Sequence, residues 1–232
     1  MDDKPINAVS LGKQLYKGNV FGRILLVAIL GVVAFMFGIF GASALVTQYG
    51  EYTVSILDGV ESASISLSET SDFASPTVRL TCPGIPSMTN ISENDLPSGI
   101  DDLDGSHNGD SYIAYTFYIR NVGTASINLQ EEMLIDSSVL GADSAMRVKV
   151  YKNGTPTTYA KLGAEGVPEY GTTPFLENKV FSTVTEGMTA GQTIKYTFVI
   201  WLEGDDPECL DNIRGGAVKL SMQFSVIDQS SE

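Results

Sequence analysis

An acidic segment at residues 101–111 carries oxygen-bearing side chains at every second position, the spacing that a loop wrapped around a hard cation such as Ca²⁺ could use. These side chains belong to Asp102, Asp104, Ser106, Asn108 and Asp110. The segment departs from an EF-hand loop, because its glycine is Gly105, at the fourth position, and Ile113 stands where the bidentate glutamate would be. The two interpretations are a weak calcium site, the one cofactor suggested by the residues, and a solvated turn.

Catalytic motifs are scarce in the rest of the chain. His107 is the single histidine, so a zinc site with two or three histidine ligands cannot be assembled. The sequence contains no GxSxG nucleophile elbow and no GxxxxGK[ST] phosphate loop. We therefore expect no catalytic residues and a protein that is not an enzyme. A hydrolase with a carboxylate site, centred on Asp102 and Asp104, is kept as a distant alternative.

A second acidic cluster surrounds one of the two cysteines. Its carboxylates, which could also meet a cation, are Asp205, Asp206, Glu208 and Asp211. The cysteines, Cys82 and Cys209, both follow the apolar stretch described below, in a compartment where disulfides persist. We expect them to form one long-range disulfide, with two free buried thiols as the alternative, since sequence separation does not show whether the two Cα atoms come close enough.

The net charge of −14 is divided unevenly along the chain. Four basic and two acidic side chains give residues 1–23 a charge of +2, which leaves −16 for the remainder. Nucleic acid and anionic lipid would be repelled by such an acidic domain, so nucleic acid is excluded as its main partner. A surface protein or a glycan remains as the expected partner.

Residues 24–46 contain no charged side chain and are predominantly apolar. A helix of this length is about 34 Å long, which is enough to cross about 30 Å of hydrocarbon. Lys13, Lys17 and Arg23 precede the segment, whereas no basic residue follows it before Arg79. The positive-inside rule then places the amino terminus in the cytoplasm and the carboxyl-terminal domain outside, in a single-pass protein of the cell membrane.

Two further features of this segment bear on its fate. Small residues recur at four-residue spacing at Ala34, Gly38 and Ala42, a pattern that lets membrane helices approach closely and so suggests self-association. The small residues at 42–44 resemble a signal-peptidase site, so cleavage after Ala44 is the alternative to retention. The apolar stretch exceeds the usual length of a signal core, which favours an anchor.

Most of the remaining sequence has the alternation of β-strands. At the carboxyl end, Val218, Leu220, Met222, Phe224 and Val226 alternate with polar residues. Six other β-rich segments are 51–57, 63–68, 77–82, 112–120, 145–152 and 194–203. In the last of these, apolar side chains occupy both faces, so we expect a strand covered on both sides with Trp201 in the core.

Turn residues separate these segments, and Asn153-Gly154 predicts a tight hairpin. Many short strands with frequent turns indicate an all-β protein, an Ig-like antiparallel β-sandwich preceded by one transmembrane helix. The predicted organisation is a cytoplasmic tail at 1–23, a transmembrane helix at 24–46, a β-sandwich domain at 47–228 and a flexible carboxyl terminus at 229–232.

Two motifs carry a family resemblance. The segment 115-YTFYIRNVGTASINL-129, a strand, an Asn-x-Gly turn and a second strand, resembles the opening of bacterial Ig-like surface modules, and 186-EGMTAGQTIKYTFVI-200 resembles their closing half. The chain is thus similar to membrane-anchored surface proteins of Gram-positive bacteria and, more distantly, to the camelysin and TasA-like group of biofilm-fibre proteins. The fibre group has a short cleavable leader, from which the long apolar segment of this chain departs.

The resemblance implies a non-enzymatic cell-surface protein that acts in adhesion, envelope architecture or partner binding, with the lipid bilayer as its first contact. The alternative that it implies is a secreted subunit, cleaved after Ala44, that builds an extracellular fibre. These hypotheses differ in whether the apolar segment stays attached.

Overall fold

The computed structural model describes residues 27–31, 51–57 and 64–227. The chain divides into two compact units, residues 1–47 and residues 48–232. In the first unit, residues 27–31 are helical. The predicted tail at 1–23, most of the predicted span at 24–46, the small residues Ala34, Gly38 and Ala42, and the carboxyl terminus at 229–232 lie outside the described residues. Within the described part of the chain, no helix has both the length and the apolar character that crossing a membrane requires.

The second unit is built from β-strands that form two sheets. In chain order the strands are β1 (Glu51–Ile56), β2 (Ile65–Ser68), β3 (Arg79–Pro83), β4 (Gly105–Ser106), β5 (Tyr112–Asn121), β6 (Ile127–Val139), β7 (Met146–Lys152), β8 (Thr155–Ala160), β9 (Thr173–Pro174), β10 (Lys179–Met188), β11 (Thr193–Leu202) and β12 (Ala217–Ile227). The first sheet has the order β10-β6-β12-β1-β3, and the second has the order β2-β5-β11-β7-β8-β9, with β4 paired to β5. The predicted all-β sandwich is therefore confirmed at this level.

The core between the sheets comes from the alternating positions that the sequence displays. Leu220, Met222 and Phe224 of β12 are buried, and they pack in one cluster with Phe117 of β5 and Phe198 of β11. The Phe117 and Phe224 rings meet edge to face with their centroids 5.9 Å apart. Packing of this kind removes a large apolar area from water, which is the dominant favourable contribution to folding.

A second apolar cluster lies on the other face of β11, as the two-sided pattern predicts. Its buried members are Ile100, Ala114, Val199 and Trp201. The Trp201 side chain is fully buried, and its Nε1 donates a hydrogen bond to Glu203 Oε2 at 3.0 Å. The segment that supplies Ile100 thus covers the outer face of the second sheet, and the predicted core position of Trp201 is confirmed.

The two motifs at 115–129 and 186–200 meet at the end of β5. Asn121 is fully buried, and its Nδ2 donates hydrogen bonds of 2.9 Å to the carbonyl oxygens of Ala125 and Met188. The side chain therefore fastens the turn after β5 to the turn before β11. Strands β5 and β11 then run antiparallel as neighbours.

An ion pair connects the two sheets between β6 and β7. Glu131 of β6 is 1% exposed, and Lys152 of β7 donates from Nζ to both of its carboxylate oxygens, at 2.8 and 3.1 Å. Thr185 of β10 donates a further hydrogen bond to Glu131. Because a buried carboxylate is costly without a partner, this pair fixes how β6 and β7 face each other.

The predicted hairpin at Asn153-Gly154 is also confirmed. These two residues join β7 to β8, and both have positive φ angles, 50° and 81°. A turn with two left-handed residues matches the twist of the flanking strands, and asparagine and glycine adopt that conformation most readily.

Candidate functional site

Three of the five residues of the predicted calcium segment contact different neighbours, although two of these three, Asp104 and Ser106, are also exposed. Asp104 Oδ1 accepts a hydrogen bond from Tyr118 at 2.6 Å, and Asn108 Oδ1 accepts one from the backbone of Ala114 at 2.9 Å. Ser106 Oγ lies 3.8 Å from Cys82 Sγ. The remaining two, Asp102 and Asp110, are exposed.

The carboxylates of this segment do not come together as a group. Gly105 and Ser106 form β4, and among the described residues the three-carboxylate group whose ligand atoms lie within 4.8 Å of one another does not include Asp102, Asp104 or Asp110. His107, which follows Ser106, has Nδ1 2.9 Å from the Gly105 carbonyl oxygen and Nε2 2.8 Å from that of Ile100. The segment is held by its own backbone, and calcium binding by it stays a prediction.

The predicted disulfide between Cys82 and Cys209 is not present, since both cysteines are free. Cys82 lies on β3, fully buried in the core beside Ser106 and Asn108. Cys209 lies half-buried in the segment between β11 and β12, where its neighbour is Asn90. The two thiols occupy different parts of the fold, which the spacing of the cysteines in the sequence could not reveal.

The two thiols are expected to differ in reactivity. Burial raises the pKa of Cys82 to about 11, so at pH 8 only about one molecule in a thousand carries the thiolate that reacts. Burial also raises the pKa of Cys209, but that side chain remains accessible. Iodoacetamide should label Cys209 in the native protein and Cys82 only after unfolding, as read by peptide mass. If neither thiol is labelled in denaturant until a reductant is added, the disulfide exists after all.

The tightest carboxylate group in the described part of the chain surrounds a buried arginine. Arg147, at the start of β7, is 5% exposed. Its Nη2 lies 2.6 Å from Asp206 Oδ2 and 3.6 Å from Glu169 Oε2. Glu208 joins the group through Asp206, whose Oδ1 accepts a 2.7 Å hydrogen bond from the Glu208 backbone. Two carboxylates that lie far apart in the sequence, Glu169 and Asp206, thus meet on one guanidinium, and Glu208 lies beside Asp206.

Strand pairing explains how the group assembles. Arg147 pairs with Ala160, the last residue of β8, and on its other side with Trp201, near the end of β11. The loops that follow β8 and β11 therefore leave the second sheet on either side of Arg147. Loop A, residues 161–178, which includes the two-residue strand β9, supplies Glu169, and loop B, residues 203–216, supplies Asp206 and Glu208.

The carboxyl groups of loop B have pKa values that move in opposite directions. Burial raises the pKa of Asp206, and the contact between its carboxyl group and that of Glu208 raises it further, while the Glu208 backbone N–H and Arg147 act in the opposite sense. The same contact between the two carboxyl groups lowers the pKa of Glu208, as does the backbone N–H of Ala164. Two neighbouring carboxyl groups, one with a raised and one with a lowered pKa, can act as a catalytic acid and base. The Asp206 side chain, however, is completely buried. The contacts of Arg147 with Asp206 and Glu169, and the hydrogen bond from Ala164 to Glu208, join loop A to loop B.

Among the residues that the structure describes, these carboxylates are also the group that could hold a metal ion. One ligand oxygen from each of Glu169, Asp206 and Glu208 lies within 4.8 Å of the others. Oxygen ligands suit hard cations such as Ca²⁺ or Mg²⁺. Arg147, however, already contacts two of the three carboxylates and supplies a positive charge to them.

Sequence reasoning identified half of this group. Asp206 and Glu208 were recognised within the second acidic cluster, whereas Arg147 and Glu169 were not. No local pattern marks them, because strand pairing alone brings β7 beside loops A and B. The one local hint is that Arg147 stands between two apolar residues of β7, Met146 and Val148, since a buried arginine needs a partner.

Comparison with protein-family profiles and with curated proteins gives no match for this chain.

Proposed function

We propose that the chain is a non-enzymatic, single-pass membrane protein whose extracytoplasmic β-sandwich binds a partner at the cell surface. The observation that carries this proposal is the closure of the carboxylate group on Arg147. Arg147 contacts Asp206 of loop B and Glu169 of loop A, and so holds the two loops together. The Asp206 side chain has no exposed surface. A rigid sandwich that presents fixed loops is the usual platform of a binding module. The uncharged segment 24–46 supports the anchor.

The finer fold assignment belongs to this proposal. Consecutive strands such as β5 and β6, β6 and β7, and β10 and β11 lie in opposite sheets. This alternation favours a connectivity of the double-sheet jelly-roll type over the Ig-like arrangement, which keeps several consecutive strands in one sheet. Both are sandwiches whose loops cluster at two ends, and either can present a binding surface there.

Cell fractionation tests the anchor. We expect the intact mass of the full chain in the membrane fraction, resistant to alkaline extraction, with the β-sandwich digested by protease added outside the cell. The amino-terminal tail should remain protected under the same conditions. A soluble product that begins at Leu45 would show that the segment is a cleaved signal and would refute the anchored protein.

A second candidate function, a secreted fibre subunit, is supported by the position of β1. This strand, the first of the sandwich, lies between β12, to which it is parallel, and β3, to which it is antiparallel. A strand that pairs on both sides with distant parts of the chain can be supplied by a neighbouring copy, which would link subunits in a row.

A paired-cysteine experiment separates the two cases. Thr53 and Ser221 are register partners across β1 and β12. In a chain with Cys82→Ser and Cys209→Ser, the changes Thr53→Cys and Ser221→Cys should give an oxidised monomer if β1 stays in its own subunit. A ladder of covalent oligomers on a non-reducing gel would instead identify strand exchange and favour the fibre.

A further inference from the structure

Loops A and B emerge at the end of the sandwich where the chain enters β1. β1 and β12 are parallel, with Thr53 opposite Ser221, so β1 begins at the end where loop B leads into β12. Loop A follows β8, whose last residue pairs with Arg147 beside the end of β11. The two loops therefore form part of one end of the sandwich.

The two loops are fastened to each other before any partner arrives. Arg147 contacts Asp206 of loop B and Glu169 of loop A, and the Ala164 backbone N–H in loop A donates to Glu208 Oε1 at 2.8 Å. A surface that is already ordered loses little conformational entropy on binding, which favours affinity.

These fastened loops expose several large apolar side chains. They are Leu162, Val167, Tyr170, Leu176 and Leu210. Tyr170 has its whole side chain in solvent, and Leu210 is 60% exposed. Exposed aromatic and aliphatic side chains on a rigid scaffold mark an interaction surface more often than scattered single residues do.

The same loops are strongly acidic. Loops A and B contain eight acidic and two basic side chains, a formal charge of −6 that Arg147 reduces to −5. The acidic residues outside the Arg147 group include Glu165, Asp205 and Asp211, all exposed. An anionic surface with apolar side chains complements a cationic segment that also carries apolar side chains.

We propose that loops A and B form the docking surface for a cationic, apolar-containing polypeptide segment of another protein. The inference rests on the proposed role of the sandwich as a partner-binding module, and it names the class of partner. A second copy of the chain is a poorer occupant, because residues 48–232 carry a charge of −16 and would repel each other. Anionic lipid is disfavoured for the same reason.

The test uses the full chain in detergent micelles and a labelled peptide of alternating lysine and leucine as the probe. Two control peptides replace either every lysine with glutamate or every leucine with serine. We expect the lysine–leucine peptide to bind more tightly than either control and to weaken as salt is added, because exposed charges are screened. Equal binding of the three peptides would overturn the proposal.

Variants locate the surface. Tyr170→Ser with Leu210→Ser should weaken binding by about tenfold, because it removes the two most exposed anchors. Asp205→Asn with Asp211→Asn should also weaken binding and reduce its salt dependence. The matched controls are Val122→Ser, an exposed apolar residue after β5, and Glu186→Gln, an exposed acidic residue of β10. Both should bind like the natural protein, with the folding of every variant checked by Trp201 fluorescence.

Each other outcome has a defined meaning. If the variants in loops A and B bind as well as the controls, the docking surface lies elsewhere and the proposal fails. If Tyr170→Ser with Leu210→Ser abolishes a dimer seen by sedimentation and leaves peptide binding unchanged, the occupant is a second copy, which also refutes it. The fractionation experiment alone tests whether the chain is anchored in the membrane. The membrane-anchor proposal and the docking-surface proposal can therefore fail independently.

Discussion

Replacing Lys152 with methionine is expected to cost about 3–5 kcal/mol of unfolding free energy, because it leaves a buried carboxylate without its counter-charge. Glu131 is 1% exposed and faces the second sheet, so water cannot take the place of the ammonium group. Thr185 would remain as a hydrogen-bond donor, which does not balance a full charge. Chemical unfolding followed by the fluorescence of Trp201, the single tryptophan, measures the change.

The matched partner variant should behave differently. In Glu131→Gln, the surviving charge is Lys152, whose side chain is 35% exposed and can turn toward solvent, so we expect a loss of only about 1–2 kcal/mol. The double variant should be close to Glu131→Gln alone, since it buries no unpaired charge. Equal losses in the two single variants would show that the pair is not the buried connection described here.

Arg147→Met is expected to produce the other large effect, again about 3–5 kcal/mol near pH 7. It leaves Asp206, with no exposed side-chain surface, and Glu169 without the guanidinium that both contact. Loops A and B would lose their common fastening, so the loss should appear first as faster proteolysis of residues 161–178 and 203–216. The matched control is Arg214→Met, whose side chain is 84% exposed and whose partner Asp211 is 93% exposed. That surface pair should contribute at most about 0.5 kcal/mol.

The loss in Arg147→Met should depend on pH in a defined direction. The pKa of Asp206 in the folded protein is already raised by burial, and Arg147 opposes that shift, so its removal raises the pKa further. A carboxyl group whose pKa is higher in the folded than in the unfolded state lowers the free energy of unfolding when it is ionised. This loss of stability disappears as the pH falls through the folded-state pKa toward 3.8, the value in the unfolded state. The difference from the natural protein should therefore shrink in acid. A difference that stays constant would mean that Asp206 is not the group left uncompensated.

Local pattern alone was enough to place much of the sandwich. The alternation at 218–226 predicted β12, the β-rich segment 194–203 predicted β11 with both faces covered, and Asn153-Gly154 predicted a hairpin. Each of these features depends on the residues of one segment and on the period of a pleated strand. Tertiary structure then only had to supply the opposing surfaces.

The prediction missed β10 and most of β6, and the second omission has a physical reason. Gln130, Glu131 and Glu132 interrupt the alternation in β6 with three polar side chains in succession. Glu131 nevertheless points into the protein, since Lys152 from the facing sheet neutralises it. An inward charge looks like a surface residue until its partner is known, and that partner is not a neighbour in the sequence.

The sequence by itself determined the class of the fold, the uncharged segment at 24–46, the acidic character of the remainder and the scarcity of catalytic motifs. All of these follow from composition and short-range spacing. Only the tertiary structure decided which charges meet. It gave the oxygens of Asp104 and Asn108 separate partners, Tyr118 and Ala114, and it placed Cys82 and Cys209 in different environments. It also brought Arg147 to the carboxylates of loops A and B, because pairing across β8, β7 and β11 joins residues that no local pattern connects.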